Sequence, residues 1–310
     1  MPGFAATAER HQVAVYLGAL VAGFAAGWAA PAAASWFEHA INPVLALLLY
    51  VTFLQVPVAE LGRSLRAGRF LAAALVVNFA LVPLVVAALL PLVPADQAVR
   101  LGVLLVLLTP CVDYVIVFSG LAGADGRLLA ATPLLLIAQL VLLPGYLLLF
   151  LGPGAAVVDP GPFAEAFVVL IAIPLTLAWL TQSAPKAATV ANALSTTMVP
   201  LMAATLFVVV ASQVPKLGDD LPLLARVVPI YVVFLVVMAF AGRVVARAFR
   251  LDTAGARAIV FTGATRNSLV VLPLALALPG ELAAAVVVTQ TLVEVVGMVV
   301  YVRAVPRLLP

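Results

Sequence analysis

Charge is scarce in this sequence: Asp, Glu, Lys and Arg together make up 9% of its 310 residues, against 65% hydrophobic. A globular domain carries about 25% charged and 45–50% apolar residues, so a water-soluble fold is excluded and an integral membrane protein is expected. Cysteine occurs once, at Cys111, which rules out an intramolecular disulfide and a Cys-rich metal centre. The two histidines, His11 and His39, stand at the edges of apolar stretches and form no ligand cluster, so no cofactor is expected. No clustered His or Asp at depth suggests a membrane enzyme. The net charge of +3 is distributed through particular loops rather than gathered into a patch for nucleic acid. The short alternating segments of an outer-membrane barrel are also missing. Residues 1–10 contain Glu9 and no small-residue cleavage site, so the first apolar stretch is expected to remain in the mature protein.

What is present is a series of long apolar windows, each long enough for a helix to cross a hydrocarbon core of about 30 Å. Reading between Gly, Pro and charge clusters gives ten: 12–30, 40–59, 70–93, 99–121 and 128–151, then 163–181, 192–212, 222–246, 257–278 and 282–302. The chain reads as one transmembrane domain over 1–310, with repeats over 12–151 and 163–302. Basic residues test this count, because cytoplasmic loops hold the Lys and Arg. With the N-terminus inside, the inner segments hold Arg10, Arg63, Arg66, Arg69, Arg127, Lys186, Arg243, Arg247, Arg250, Arg257, Arg303 and Arg307; the outer ones hold Arg100, Lys216 and Arg226. Twelve against three puts both termini in the cytoplasm of a cell with this protein in its inner (plasma) membrane. Five crossings per half reverse the second half relative to the first, which makes an inverted repeat.

Polar residues interrupt two spans at matching places. The fourth carries Thr109-Pro110-Cys111-Val112-Asp113, and the ninth carries Thr262-Gly263-Ala264-Thr265-Arg266-Asn267-Ser268. Unwound backbone at depth is tolerated only where it lines a cavity or site, so a transporter with Pro110 and Gly263 at its helix breaks is expected. A shift of about 155 residues superposes the breaks and brings Gln139 onto Glu294. Asp113 and Arg266 each cost roughly 2.5–3.5 kcal/mol at mid-depth. If the broken spans cross, the two can pair, either as a structural ion pair or with Arg266 facing an anionic solute and Asp113 carrying a proton. Glu294 has no basic residue one turn away along its own span, which makes it a candidate proton carrier or a protonated acid bonded to a neighbouring helix. Cys111 is either packing or a soft ligand for a thiophilic solute. Thr265, Asn267 and Ser268 share the second break and are read as site lining. Gln55, Asn78 and Gln139 are read as interhelical hydrogen-bonding groups worth roughly 0.6 kcal/mol each.

These residues resemble a family. Thr109-Pro110-Cys111 followed by Val117, Ser119-Gly120-Leu121 and Gly123-Ala124-Asp125 is similar to the Ala-Pro-Cys to Gly-Asp stretch of the arsenical-resistance permeases in the bile acid:sodium symporter superfamily. Phe261-Thr262 through Asn267, Leu292-Val293-Glu294-Val295, Asn78-Phe79 and Pro83-Leu84 resemble further motifs of that group. The resemblance implies ten helices in a panel (spans 1, 2, 6, 7) and a core (spans 3, 4, 5, 8, 9, 10), with the fourth and ninth unwound and crossing. It implies export of arsenite or antimonite in exchange for protons, with Cys111 as a transient ligand to the metalloid and Glu294 as the coupling acid. The partners are then a small inorganic solute, protons and the lipid bilayer, with the oligomeric state open. Three departures stand out: Asp113 where the family has a small residue, Arg266 for the first Asn of a pair, and Leu269-Val270-Val271 where a Glu is expected. A fixed charge at Arg266 would shift preference toward an oxyanion or small organic anion. The alternative is a sodium-coupled importer of organic anions, although of the sodium-ligand motifs only Asn267 matches. A scaffold or sensor is a third reading, and paired helix breaks speak against it.

Overall fold

The computed structural model describes residues 11–55, 68–111, 114–124, 126–152, 168–185, 187–216, 218–278 and 280–309. Asp113 lies outside the described residues, as do Arg10, Arg63, Arg66 and Lys186. The described segments form helices, as backbone groups in a hydrocarbon environment must be satisfied within the segment. They are α1 (Gln12–Ala29), α2 (Ala34–Leu54), α3 (Gly68–Leu92), α4 (Gln97–Leu107), α5 (Tyr114–Leu121), α6 (Arg127–Leu151), α7 (Ile173–Gln182), α8 (Ala187–Ser195), α9 (Met198–Gln213), α10 (Leu221–Ala248), α11 (Thr253–Ala264), α12 (Ser268–Leu276) and α13 (Leu282–Leu308). Four of these stretches are long and apolar enough to cross a membrane, and six are if two bent helix pairs each count as one span.

Proline explains both bends. α6 turns by 50° between Arg127–Gln139 and Val141–Leu151, where the Pro144 ring meets the carbonyl four residues back and withholds a donor. α8 and α9 meet at 52°, and Pro200 stands four residues after Thr196 in the intervening turn. The outer surface is apolar: Val141, Leu149 and Val244 are largely exposed, as lipid-facing side chains are. Trp28 and Trp36, also exposed, flank the α1–α2 turn where interfacial aromatics are favoured.

Helix contacts fall into two groups. α9 packs on α1 and α2, and α7 on α2, while α10 packs on α11 and α13, and α13 on α4 and α12. Close approach in the second group depends on small residues. A Cβ on Gly102 of α4 would lie 2.8 Å from the Ala283 carbonyl of α13, so only glycine permits that helix spacing. At one end of the bundle, Arg257 donates to the carbonyls of Ala122 (3.0 Å) and Leu309 (2.9 and 3.1 Å). Nearby, Arg127 binds Asp252 at 2.5 Å and lies over the Phe70 ring. This end therefore gathers the turn after α5, the starts of α3 and α6, the α10–α11 turn and the end of α13. Arg127 and Arg257, two of the twelve basic residues read as lying on the inner side, stand at this same end.

Candidate functional site

The expected fourth and ninth spans are each split. α4 ends at Leu107 and α5 starts at Tyr114; α11 ends at Ala264 and α12 starts at Ser268. The two breaks lie against each other as an antiparallel β-bridge between Pro110 and Arg266. The Cys111 N–H donates to the Thr265 carbonyl (3.2 Å), and the Asn267 N–H donates to the Thr109 carbonyl (2.8 Å). In this pattern the central pair, Pro110 and Arg266, occupies the position that makes no ladder bonds. A proline fits there because nothing asks for its missing N–H. The Arg266 N–H, equally unused by the ladder, donates to Glu294 Oε2 of α13 at 2.8 Å.

Capping follows from the same residues. Asn267 Oδ1 accepts from the Val270 N–H (3.1 Å) and starts α12, as Asp96 Oδ1 accepts from Val99 and starts α4. Thr109 Oγ1 donates to the Leu105 carbonyl at 2.7 Å, and Thr265 Oγ1 donates to the Phe261 carbonyl. Each break thus carries a threonine bonded back onto its own half-helix. Gly263 sits in the last turn of α11, ahead of the break rather than in it. A Cβ there would meet Val77 Cγ2 at 2.8 Å, so its role is to let α11 approach α3.

The bridge diverts N–H donors and leaves carbonyls at the ends of α4 and α11 without helical partners. Arg266 takes them up. Its Nη2 donates to the carbonyls of Thr262 (2.6 Å) and Gly263 (2.9 Å) and to Asn78 Oδ1 (2.8 Å), and its Nη1 to the Leu107 carbonyl (3.3 Å). The guanidinium also lies 5.8 Å from the Phe234 ring centroid. Asn78 belongs to a π-helical turn, Val77–Leu81, within α3. Such one-turn widenings gather at functional sites, and this one turns Asn78 toward Arg266 while its Nδ2 donates to Ala74 and Thr262 Oγ1.

Cys111, Thr265, Arg266, Asn267, Ser268 and Glu294 are all buried around this crossing. Glu294 Oε2 also accepts from Gln290 Nε2. Asn78, Thr262 and Gln290 are the participants that sequence reasoning missed or undervalued. Several polar atoms here have no hydrogen-bond partner among the described residues: Asn267 Nδ2, Ser268 Oγ and Gln290 Oε1, along with both amide atoms of Gln139 in α6. Buried polar atoms left in this state cost free energy. A separate cavity of about 450 Å³ lies between α1, α2 and α9 on one side and α5 on the other. It is lined by Tyr16, Thr52, Gln55, Val117, Leu121, Met198 and Met202, among others. Its Gln55 amide donates to Met198 Sδ. The described residues contain no group of three or more His, Cys, Asp or Glu able to hold a metal ion.

Comparison with known proteins gives one family. The model described as Sodium Bile acid symporter family matches residues 42–220, more than half of the chain. The matched stretch runs from α2 to the turn before α10 and includes the first break. No curated protein matches the chain.

Proposed function

The chain belongs to the sodium bile acid symporter family and is therefore a multi-pass membrane transporter rather than an enzyme; from this premise we propose that it exports arsenite, and antimonite beside it, in exchange for protons. The observation that carries the proposal is the Cys111 thiol, fully buried in the bridge between two broken helices. A soft thiol suits a thiophilic solute. An uncharged arsenic hydroxide can exchange one oxygen ligand for sulfur, the displaced hydroxide taking the thiol proton and leaving as water. Asn267 Nδ2 and Ser268 Oγ then supply polar contacts to its remaining hydroxyls, with Thr265 beside them. A single sulfur contact is weak enough to release the solute on the other side.

Proton coupling is assigned to Glu294 and Asp113. Glu294 holds the Arg266 backbone N–H, so a change in its protonation acts directly on the second break. The wider architecture belongs to the same proposal: ten spans in two inverted five-helix repeats, in the plasma membrane, with both termini cytoplasmic. Support comes from the reciprocal bonding about Pro110 and Arg266, which has local two-fold character, and from the arginines gathered at one end. The test is arsenite accumulation in everted vesicles under imposed pH or sodium gradients. Proton-driven uptake is expected in the wild type and not in Cys111→Ser; uptake intact in Cys111→Ser removes the thiol from the mechanism.

One observation favours a second reading, sodium-coupled transport of an organic anion. The 450 Å³ cavity lined by Tyr16, Met198 and Met202 is mostly apolar and larger than an inorganic hydroxide needs. Sodium-dependent uptake of an amphipathic anion by proteoliposomes would establish that reading.

A further inference from the structure

The Arg266 guanidinium is placed as an ion would be. Nη2 carries two hydrogens, yet three oxygens surround it within 2.9 Å: the carbonyls of Thr262 and Gly263, and Asn78 Oδ1. A fourth oxygen, from Leu107, meets Nη1 at 3.3 Å. These oxygens come from the C-terminal ends of α11 and α4 and from the π-turn of α3. A helix C-terminus carries roughly half a negative elementary charge, so two ends converging amount to about one. The Glu294 carboxyl lies beside this group and accepts from the Arg266 backbone N–H. Half-helix ends and unwound carbonyls are the groups that coordinate monovalent cations in broken-helix carriers.

The geometry points to Arg266 as a tethered cation: its guanidinium sits among four oxygens of the described residues where the negative ends of α4 and α11 meet, so it holds the place of a monovalent cation there, and removing the side chain opens a site for a free one. The covalent tether supplies the cation at fixed occupancy, whatever the ionic composition outside. The inference concerns the crossing itself and holds whichever solute the protein carries, so its test is read from stability and not from transport.

The experiment is thermal unfolding of the purified full-length protein in detergent, in choline chloride at constant ionic strength, with sodium, lithium, potassium or millimolar guanidinium replacing part of the choline. Wild type and Arg266→Lys, which keeps a tethered charge, should give midpoints indifferent to these cations. Arg266→Ala should unfold at a lower temperature and recover several degrees, saturably, with guanidinium or an alkali cation, as binding to the native state alone requires. Arg266→Gln, which retains more of the side-chain volume, carries the same test if the alanine variant does not fold. The inference is overturned if cations leave the neutral variants unmoved, or if sodium stabilises the wild type as much as it stabilises them.

Discussion

Replacing Asn78 by leucine removes a side-chain acceptor of the Arg266 guanidinium while nearly preserving volume. Asn78 is fully buried and makes three bonds: Oδ1 from Arg266 Nη2, and Nδ2 to the Ala74 carbonyl and to Thr262 Oγ1. A buried bond to a charged donor is worth about 1.5–3 kcal/mol, and a neutral one about 1. Because Nη2 keeps two carbonyls, the first loss falls at the lower end, and the sum is about 2–4 kcal/mol. For a chain of this size that lowers the unfolding midpoint by about 3–6 °C. Asn78→Asp gives up both Nδ2 donations but retains an acceptor for Arg266, now charged, and should lose less than the leucine variant. The assay is thermal unfolding in detergent of both variants, extended to a double-mutant cycle with Arg266→Met. The cycle should show a coupling of about 1.5 kcal/mol or more, since the two residues share one buried network. The reasoning is refuted if Asn78→Leu unfolds at the wild-type temperature, if the aspartate variant falls as far as the leucine, or if the two losses simply add.

Further outcomes follow from the same geometry. Gly263→Ala should destabilise by about 1–3 kcal/mol through overpacking against Val77, with partial recovery in the Val77→Ala background, measured by thermal midpoint. Pro110→Ala should cost under about 1 kcal/mol and keep transport, because position 110 makes no ladder bond and the change acts mainly on the unfolded chain; a collapse of transport would show that the proline ring itself is needed. Glu294→Gln keeps an acceptor for the Arg266 N–H, so it should remain folded and lose pH-driven transport; an unchanged pH profile would remove Glu294 from coupling. The Arg127 guanidinium holds the Asp252 carboxyl below the usual carboxylate range by a hydrogen bond. That contribution is present above the ordinary carboxylate pKa and is lost as pH falls through the lowered one. With the Asp252 side chain 60% exposed, it should amount to well under about 1 kcal/mol, read as the difference between wild type and Asp252→Asn at neutral and at acid pH.

The two breaks were legible because Thr-Pro-Cys and Gly-Ala-Thr-Arg-Asn-Ser cannot continue an apolar helix unnoticed, and their equivalent places in the chain foretold that they would meet. The cap made by Asn267 follows from its residue type. The described partners of Arg266 were only partly legible. Sequence offered Asp113, which lies outside the described residues, as the opposite charge at depth; the acceptors among the described residues are Asn78 Oδ1 and the backbone carbonyls of Leu107, Thr262 and Gly263, the carbonyls being freed by the break itself. Asn78 looked like an ordinary interhelical amide, because the π-turn that aims it depends on packing between α3 and α11. Glu294 was visible as an acid in an apolar span, but its bond to a main-chain N–H required knowing that the bridge leaves that donor unused. Gly263 was read as a helix breaker, and its helical place shows how close approach and breaking leave the same residue in the sequence.

Solute binding at the crossing is directly measurable through the single cysteine, since thiol alkylation of the native protein reports on Cys111 alone. The measurement is the rate of labelling by a membrane-permeant maleimide in vesicles, with and without arsenite. Arsenite should slow the labelling saturably, over the same concentration range that saturates transport. A labelling rate indifferent to arsenite at those concentrations would contradict the account.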